Sequence, residues 1–241
     1  MLELAQRIDE TRLTFQPEED PVAVIEALCR NALEVQFRAV CVRPQYVALA
    51  KSILNGSSVR VATVIAFPLD KAPLKTASFG DMSWQDKMAE IRKALLDGAD
   101  ELDIVMNVPW FKSHAVESSV EELIRFEILH LLEAAQNKAI KLIIETDLLT
   151  PEEIIKATQM ACLAGVAYVK TSTGMLIGGH GATVENIRLI RSAINKPQVG
   201  IKASGGIRTA EQAMALLEAG ADILGCSNGK ALLDDFSMIS K

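Results

Sequence analysis

The sequence has few of the residues that build metal sites or disulfide frameworks. Its 241 residues include four cysteines and three histidines, which are scattered along the chain. Neither residue type shows the paired spacing that is typical of zinc sites. We therefore predict that the chain binds no metal, and that its cysteines are reduced thiols packed as small apolar groups.

Excess positive charge and long apolar runs are also missing. The chain carries 25 lysines and arginines against 31 acidic residues, a formal net charge of -6, which offers no electrostatic footprint for nucleic acid or an anionic membrane. No run approaches the roughly 18 apolar residues of a membrane span. Residues 1–10 carry acids where a signal peptide would carry a basic segment and an apolar core. We expect a cytoplasmic protein that binds neither nucleic acid nor membranes.

What the sequence does contain is apolar material in a regular alternation. Hydrophobic residues make up 49% of the chain and charged residues 23%, which suits one compact domain or two small ones. Short runs rich in β-branched residues alternate with longer amphipathic runs. The short runs predict eight strands, at Ile8–Leu13, Phe37–Val42, Val59–Phe67, Glu101–Met106, Lys141–Thr146, Ala167–Thr173, Val199–Ser204 and Asp222–Cys226.

The longer runs predict helices between these strands. Start and stop signals support them: Thr150 and Pro151 suit the N-cap and first position of a helix, and Gly165 suits a C-cap. The predicted helices are Pro21–Glu34, Pro44–Leu54, Trp84–Leu96, Val120–Ala135, Glu152–Leu163, Val184–Ala193, Ala210–Glu218 and Lys230–Phe236.

This order of elements predicts an α/β fold. Strict alternation implies parallel strands with right-handed crossovers. Eight units in a chain of this length fit a (β/α)8 TIM barrel, a single domain over residues 1–241, better than a doubly wound sheet. An open Rossmann-like sheet is the alternative, and no dinucleotide-type glycine loop opens the first unit. Two irregular segments, residues 68–83 and 108–119, would follow strands three and four at the catalytic end of a barrel.

Three charged residues are predicted to point into the barrel. Side chains alternate along a strand, so Leu102 and Ile104 should face the helices while Asp103 faces inward. The same alternation turns Lys170 and Lys202 inward. Because an isolated charge inside a barrel is unfavourable, these charges are expected to be paired or functional.

The two inward lysines are one strand-helix unit apart, so they should lie on neighbouring strands roughly 5 Å apart. Two ammonium groups at that separation disfavour each other, and the pKa of one amine should fall, to ~7–8. A lysine with such a pKa can act as a Schiff-base nucleophile near neutral pH. The alternative is that Lys202 only forms a buried ion pair with Asp103 or another carboxylate.

Glycine-rich segments follow the last two predicted strands. Ser204, Gly205 and Gly206 precede one helix, and residues 225–229 (GCSNG) follow the final strand. Glycines at these places let backbone N–H groups approach a phosphate, and barrels commonly build phosphate sites from these two loops. Each loop alone would fit an ordinary turn, but together they predict a phosphate site. The partner of the reactive amine is then a small phosphorylated carbonyl compound.

Several segments resemble the signature blocks of the deoxyribose-phosphate aldolase family. The three most specific are VKTSTG at residues 169–174, KASGGIRT at 202–209 and ELDIV at 101–105. Supporting blocks at residues 39–42 and 63–69 and within 145–150 are also similar and occur in the same order. The resemblance therefore covers nearly the whole chain.

This resemblance implies a class I aldolase without metal or cofactor. Such an enzyme reversibly cleaves 2-deoxy-D-ribose 5-phosphate to D-glyceraldehyde 3-phosphate and acetaldehyde, in deoxynucleoside catabolism. Lys170 matches the Schiff-base lysine, Lys202 the second lysine that lowers the pKa of the first, and Asp103 the acid that moves protons. The positions that match the family's substrate site are Asp9, Thr171, Gly174, Ser204, Gly205, Gly206, Gly225 and Ser227.

The sequence departs from the family pattern around the site. Glu10 stands in place of a histidine, Asp70 of a glycine, Met175 of a phenylalanine or lysine, and Cys226 of a threonine, and residues 237–241 contain no tyrosine. These changes remove no catalytic group, but they leave substrate range open. Another lysine-dependent sugar-phosphate lyase and a catalytically silent sugar-phosphate-binding barrel are the alternative functions. A homo-oligomer is compatible with the apolar helix faces.

Overall fold

The strands form a closed parallel barrel. The computed structural model describes residues 2–114, 119, 122 and 127–239. Two short strands, β4 and β8, lie outside the barrel. In chain order the strands are β1 Ile8–Arg12, β2 Ala39–Val42, β3 Arg60–Ile65, β4 Ala72–Pro73, β5 Glu101–Val105, β6 Ala139–Ile143, β7 Tyr168–Lys170, β8 Leu176–Ile177, β9 Gly200–Ser204 and β10 Ile223–Cys226.

Each barrel strand pairs with the barrel strands before and after it in sequence. The order around the barrel is β1-β10-β9-β7-β6-β5-β3-β2, and β10 closes onto β1 with Ile8 opposite Leu224. All eight predicted strands overlap these barrel strands. The predicted (β/α)8 TIM barrel is therefore confirmed. The register also sets Lys170 directly opposite Lys202 on the neighbouring strand.

Helices follow the strands and begin where local capping chemistry allows. Thr150 and Thr209 each form a capping box with the side chain three residues further on, and Thr150 is the N-cap that the sequence predicts. The helices are α1 Leu2–Ala5, α2 Pro21–Val35, α3 Val47–Ile53, α4 Trp84–Leu96, α5 Val108–His114, α6 Leu129–Ala134, α7 Pro151–Ala164, α8 Val184–Ala193, α9 Ala210–Glu218 and α10 Gly229–Ile239.

The two segments predicted to be irregular contain short elements. In the first, β4 pairs in parallel with β8. In the second, α5 starts after Asn107, whose side chain accepts the Trp110 N–H, and it buries Val108 and Phe111 on one face. Pro109 suits this first turn, where its missing N–H is not needed. Of the predicted helix at 120–135, residues 120–121 and 123–126 lie outside the described residues.

Most of the core lies between the barrel and its helices, whereas the barrel interior is mixed. Leu13, Cys41, Ala62 and Val64 form a small apolar cluster separate from the main core. Elsewhere in the barrel, charged side chains take the place of the apolar layers that usually fill it. The interior is thus a charged cluster resting beside a small apolar one.

Lys87 on α4 forms a buried ion pair outside the barrel. Its ammonium group contacts the Glu127 carboxylate and donates to the Val105 carbonyl at 2.8 Å, and its side chain is fully buried. Removal of one partner of a buried pair of this kind is strongly destabilising, since the other is then an uncompensated charge. The pair joins α4 to the segment that leads into α6.

We predict that Lys87→Met lowers the free energy of unfolding by about 3–5 kcal/mol, because it leaves Glu127 buried without its cation. Urea denaturation measures this change. Lys93→Met is the matched control: it removes an exposed lysine of the same helix that pairs with Asp97, and should change stability by about 0.5 kcal/mol or less. Equal effects of the two substitutions would contradict the prediction.

Glu10, one of the departures from the family pattern, has a structural partner. Its carboxylate accepts the backbone N–H of Gly229 at 2.7 Å, at the start of α10. A side chain at Gly229 would clash with this carboxylate and with Phe37. Burial raises the pKa of Glu10 from 4.5 to about 7, although the Gly229 N–H works in the opposite direction. Glu10 therefore ties β1 to the last helix.

The raised pKa of Glu10 predicts a pH-dependent stability. Between pH 4.5 and about 7 the Glu10 carboxyl is protonated in the folded state and ionised in the unfolded state. The contribution of Glu10 to the free energy of unfolding therefore falls as the pH rises through this window. We predict that the free energy of unfolding of Glu10→Gln, relative to that of wild type, rises by roughly 2–3 kcal/mol between pH 4.5 and about 7. Urea midpoints across the window test this, with the surface change Glu26→Gln as control. A wild-type-minus-variant difference that is independent of pH would contradict it.

Candidate active site

A cavity of ≈ 250 Å³ opens at the carboxyl ends of the barrel strands. Its lining comes from the ends of β1, β7, β9 and β10 and from the loops that follow them. Lys170 is the buried amine that reaches it. Six of the residues predicted for the substrate site also line it, namely Gly174, Ser204, Gly205, Gly206, Gly225 and Ser227.

Below the cavity, the two predicted lysines share one carboxylate oxygen. Asp103 Oδ2 lies 2.7 Å from Lys170 Nζ and 2.8 Å from Lys202 Nζ. Lys170 is 3% exposed, and Lys202 and Asp103 are fully buried. The fold thus places the three residues predicted to be catalytic in direct contact, on β5, β7 and β9.

The surroundings shift the pKa values of the two amines in opposite directions. Burial is the largest cause that lowers the pKa of Lys170, and the neighbouring Lys202 ammonium adds to it, while Asp103 opposes both. For Lys202, burial acts in the same direction, but contacts with Asp103 and Asp9 outweigh it and raise the pKa. Lys170 is therefore the amine that loses its proton more readily, and Lys202 is the one that favours the ammonium form. Repulsion from Lys202, on which the predicted fall of one lysine pKa to ~7–8 rested, lowers the pKa of Lys170 less than burial does.

Lys141 is a third buried lysine of the cluster, and the sequence-based prediction missed it. Its Nζ contacts Asp103 at 2.8 Å and Glu101 at 2.7 Å, and the side chain is fully buried. The predicted strand began at Lys141, which made this lysine look like a strand end. In the structure it is the middle residue of β6, a strand that is otherwise apolar. The sequence signal that could have identified it is a lysine with apolar residues on both sides, within a run that reads as a buried strand.

Asp9 and Thr171, both predicted to contact substrate, lie outside the cavity lining. Asp9 is fully buried beneath it and contacts Lys202 at 2.6 Å. The Thr171 hydroxyl donates to the Ser204 carbonyl at 2.9 Å and accepts the Ser204 N–H at 3.0 Å. Thr171 thus connects the loop after β7 to β9 by two hydrogen bonds. Asp9 stabilises the ammonium form of Lys202.

The loop after β9, predicted to bind a phosphate, depends on the conformational freedom of glycine. Gly205 and Gly206 adopt φ values of +94° and +76°, in the left-handed region that favours glycine. Gly181 packs against the Gly205 carbonyl so closely that any side chain there would clash, and Ala182 donates its N–H to that carbonyl. The loop after β9 is therefore held by the loop after β8, with its backbone at the cavity wall.

Two of the remaining departures lie at the same cavity. Met175 and Cys226 line it, and each is about 95% buried, with exposures of 4% and 5%. The Met175 carbonyl accepts the Ala72 N–H at 3.0 Å, so the β4–β8 pair brings Lys71 to the rim. Cys41 is fully buried inside the barrel, with its Sγ 4.0 Å from Asp103 Oδ2.

Metal-ligand clusters and membrane-spanning helices are both absent from the residue ranges that the structure describes. No group of three or more His, Cys, Asp or Glu side chains in these ranges is arranged to hold a metal ion. None of the described helices combines the length and apolar character that a membrane span requires.

Known proteins resemble this chain over nearly its full length. The model of the DeoC/LacD family aldolases matches residues 4–235. A deoxyribose-phosphate aldolase of Coprothermobacter proteolyticus is 43% identical over 89% of this chain and 90% of its own. One of Thermococcus gammatolerans is 42% identical over 97% and 96%. The tetrameric deoxyribose phosphate aldolase of Aeropyrum pernix is 29% identical, with a TM-score of 0.80 over 99% of this chain and 92% of that one.

The family match agrees with the geometry of the site. The same three sequence blocks that suggested an aldolase supply Asp103, Lys170 and Lys202, which the fold brings into contact. On the extent of the family match and the identity with its relatives, this chain belongs to the DeoC/LacD family of aldolases.

Proposed function

We propose that this protein is a class I aldolase that reversibly cleaves 2-deoxy-D-ribose 5-phosphate to D-glyceraldehyde 3-phosphate and acetaldehyde. The observation that carries the proposal is the position of the buried Lys170 amine. It contacts Asp103, which also contacts Lys202, and it lines a cavity whose wall includes the glycine loops. The names of the curated relatives support the substrate.

The first chemical step is the attack of Lys170 on the substrate aldehyde. The neutral amine adds to C1, and the resulting carbinolamine loses water to form an iminium ion. Each stage needs a proton donor and a proton acceptor next to the nitrogen. Lys202, held as an ammonium, is the donor, and the Asp103 carboxylate is the acceptor. Both lie within hydrogen-bond distance of each other, and Asp103 contacts Lys170 as well.

The iminium ion then serves as the electron sink. The bond between C2 and C3 breaks, its electron pair moves onto the C1–C2 unit as an enamine, and the C3 hydroxyl loses its proton to become the aldehyde of D-glyceraldehyde 3-phosphate. Protonation of the enamine at C2, followed by hydrolysis, releases acetaldehyde and restores Lys170. The protein supplies only an amine and positioned acid–base groups for this sequence.

The glycine loops account for the phosphate group of the substrate. Gly205, Gly206 and Ser227 line the cavity, and their backbone N–H groups and the Ser227 hydroxyl are the donors that a phosphate needs. Loops of this kind after the last strands of a barrel are common phosphate sites. Binding the phosphate there fixes the distance between C1 and the Lys170 amine, which favours attack at C1.

Three broader assignments belong to the same proposal. Residues 1–241 form a single catalytic domain. The protein acts in the cytoplasm, where its four buried, unpaired cysteines would stay reduced. It assembles as a homo-oligomer, an assignment supported by the tetrameric structure of the Aeropyrum pernix relative.

Reduction with borohydride in the presence of acetaldehyde should attach an ethyl group to Lys170, and peptide mass spectrometry locates the adduct. Lys170→Met should lose the adduct and lower kcat by on the order of 10³-fold or more, as expected for loss of a nucleophile. Lys93→Met, on the surface of α4, should keep both. An adduct confined to another lysine, or a clear preference for substrates that carry a 2-hydroxyl group, would contradict the proposal.

Ser227→Ala should lower kcat/KM for 2-deoxy-D-ribose 5-phosphate by about tenfold, because a hydrogen bond to a charged group is lost. The same substitution should leave kcat/KM for unphosphorylated 2-deoxy-D-ribose unchanged. Ser58→Ala, an exposed serine at the opposite end of the barrel, should affect neither substrate. Equal losses on both substrates would place the phosphate elsewhere.

A further inference from the structure

The charged cluster continues from the candidate active site to the opposite end of the barrel. Arg38 lies just before β2 and is 9% exposed. Its guanidinium donates to Asp9 at 2.6 Å and to the two Glu101 oxygens at 2.7 and 2.9 Å. Arg38 and Glu101 line a separate cavity of ≈ 550 Å³ at the amino ends of the strands. These two residues therefore stand at the far end of the cluster from the substrate cavity.

Two unbroken chains of ion pairs join this end to the Lys170 amine. One has contacts of 2.6, 2.6, 2.8 and 2.7 Å, in the order Arg38, Asp9, Lys202, Asp103, Lys170. The other has contacts of 2.7, 2.7, 2.8 and 2.7 Å between residues, in the order Arg38, Glu101, Lys141, Asp103, Lys170. Both chains run through buried side chains, where solvent screening is weak.

The charges along these chains balance only when Lys170 is neutral. Three carboxylates have their pKa lowered by neighbouring cations against the effect of burial, and three cations have theirs raised by neighbouring carboxylates, also against burial. The carboxylates are Asp9, Glu101 and Asp103, and the cations are Arg38, Lys141 and Lys202. A proton on Lys170 would add a fourth buried positive charge with no carboxylate of its own, which is unfavourable.

Other ionisable groups face the two ends of the cluster. Lys170 also interacts with Cys41, whose thiol has its pKa raised by burial, and with Glu145, whose pKa burial raises to about 7. At the other end, Arg38 stacks on Tyr168 with its Cζ 5.7 Å from the ring centroid, and half-exposed Arg60 contacts Glu101 at 3.2 Å. Cys41 and Glu145 contact neither Arg38 nor Glu101, so their contribution is common to all variants. Substitution of Arg38 removes the contact with Tyr168, and substitution of Glu101 removes the partner of Arg60.

We propose that Arg38 and Glu101 are positioning residues for the reaction: from the opposite end of the barrel they set the buried charge around Lys170, with Arg38 favouring the neutral, nucleophilic amine and Glu101 the ammonium. Neither residue lines the substrate cavity, so neither contacts the reacting atoms. They act through Asp9, Lys141 and Lys202, which fix the field at Lys170. This inference deepens the proposed function and rests on it.

Substitution of the two residues should move the pH profile in opposite directions. Arg38→Met removes a positive charge, raises the pKa of Lys170, and should shift the acidic limb of kcat/KM to higher pH. Glu101→Gln removes a negative charge and should shift the limb to lower pH. Each shift is on the order of one pH unit, as for a unit charge about 10 Å away at an effective dielectric constant of about 20. The double variant should return close to wild type.

Two further variants separate the effect of charge from the effect of a structural change. Arg38→Lys keeps the positive charge and should leave the limb near its wild-type position. Lys51→Met removes a cation from the same opposite-end cavity, where Lys51 pairs with Asp100 outside the cluster, and should not move the limb. If Arg38→Met does not fold, Glu101→Gln and Arg38→Lys still test the proposal. Shifts in the same direction for both charge-removing variants, or no shift in Glu101→Gln, would overturn the proposal.

A readout without turnover keeps this inference separate from the proposed function. Competitive labelling with acetic anhydride at a series of pH values, followed by peptide mapping, reports the protonation of Lys170 relative to exposed Lys75. The labelling midpoint of Lys170 should move as the kinetic limb does. If wild type fails to cleave 2-deoxy-D-ribose 5-phosphate but the midpoints still move in opposite directions, the proposed function fails and the charge balance stands. Unmoved midpoints in an active enzyme would refute the charge balance alone.

Discussion

The Asp103 carboxylate is the contact on which the site depends. One of its oxygens receives Lys170 and Lys202, and the other receives Lys141 at 2.8 Å. A fully buried carboxylate is tolerated only because cations surround it, and each cation is tolerated only because of the carboxylate. The charges inside the barrel therefore depend on one another. Of the three lysines in this set, Lys170 is the one whose pKa is lowered.

The TIM barrel makes this arrangement possible. Its interior receives alternate side chains from every strand, so residues far apart in sequence meet around one axis. Glu101 and Asp103 on one strand point inward at successive levels, and the cluster can therefore extend along the axis from Arg38 at one end to Lys170 at the other. Chemistry at the carboxyl ends of the strands is coupled in this way to charges at the amino ends.

Three departures from the family pattern, Glu10, Met175 and Cys226, fall into two physical groups. Glu10 is satisfied by the Gly229 N–H and belongs to the packing between β1 and α10. Met175 and Cys226 line the cavity, where their apolar side chains bear on the shape of the site. Lys71 reaches the rim through the β4–β8 pair. None of these residues interrupts the contacts between Lys170, Lys202 and Asp103.

Much of the fold could be predicted because periodic apolar patterns and caps are local properties of the sequence. Alternation along β5, β7 and β9 also sufficed to turn Asp103, Lys170 and Lys202 inward. The helix at Val108–His114 escaped prediction because it is short and contains a proline. Lys141 was missed because a shift of two residues in the predicted start of its strand changed its apparent setting.

The sequence by itself determined the barrel, the inward direction of the two lysines and the aspartate, and the glycine loops, because strand periodicity and turn chemistry depend on near neighbours. Only the tertiary structure decided which charges meet. Arg38 and Glu101 are 63 positions apart, and Asp9 and Lys202 are 193 apart, so no local pattern relates them. The protonation of Lys170 depends on burial and on the sum of these distant charges, and both arise only when the barrel closes.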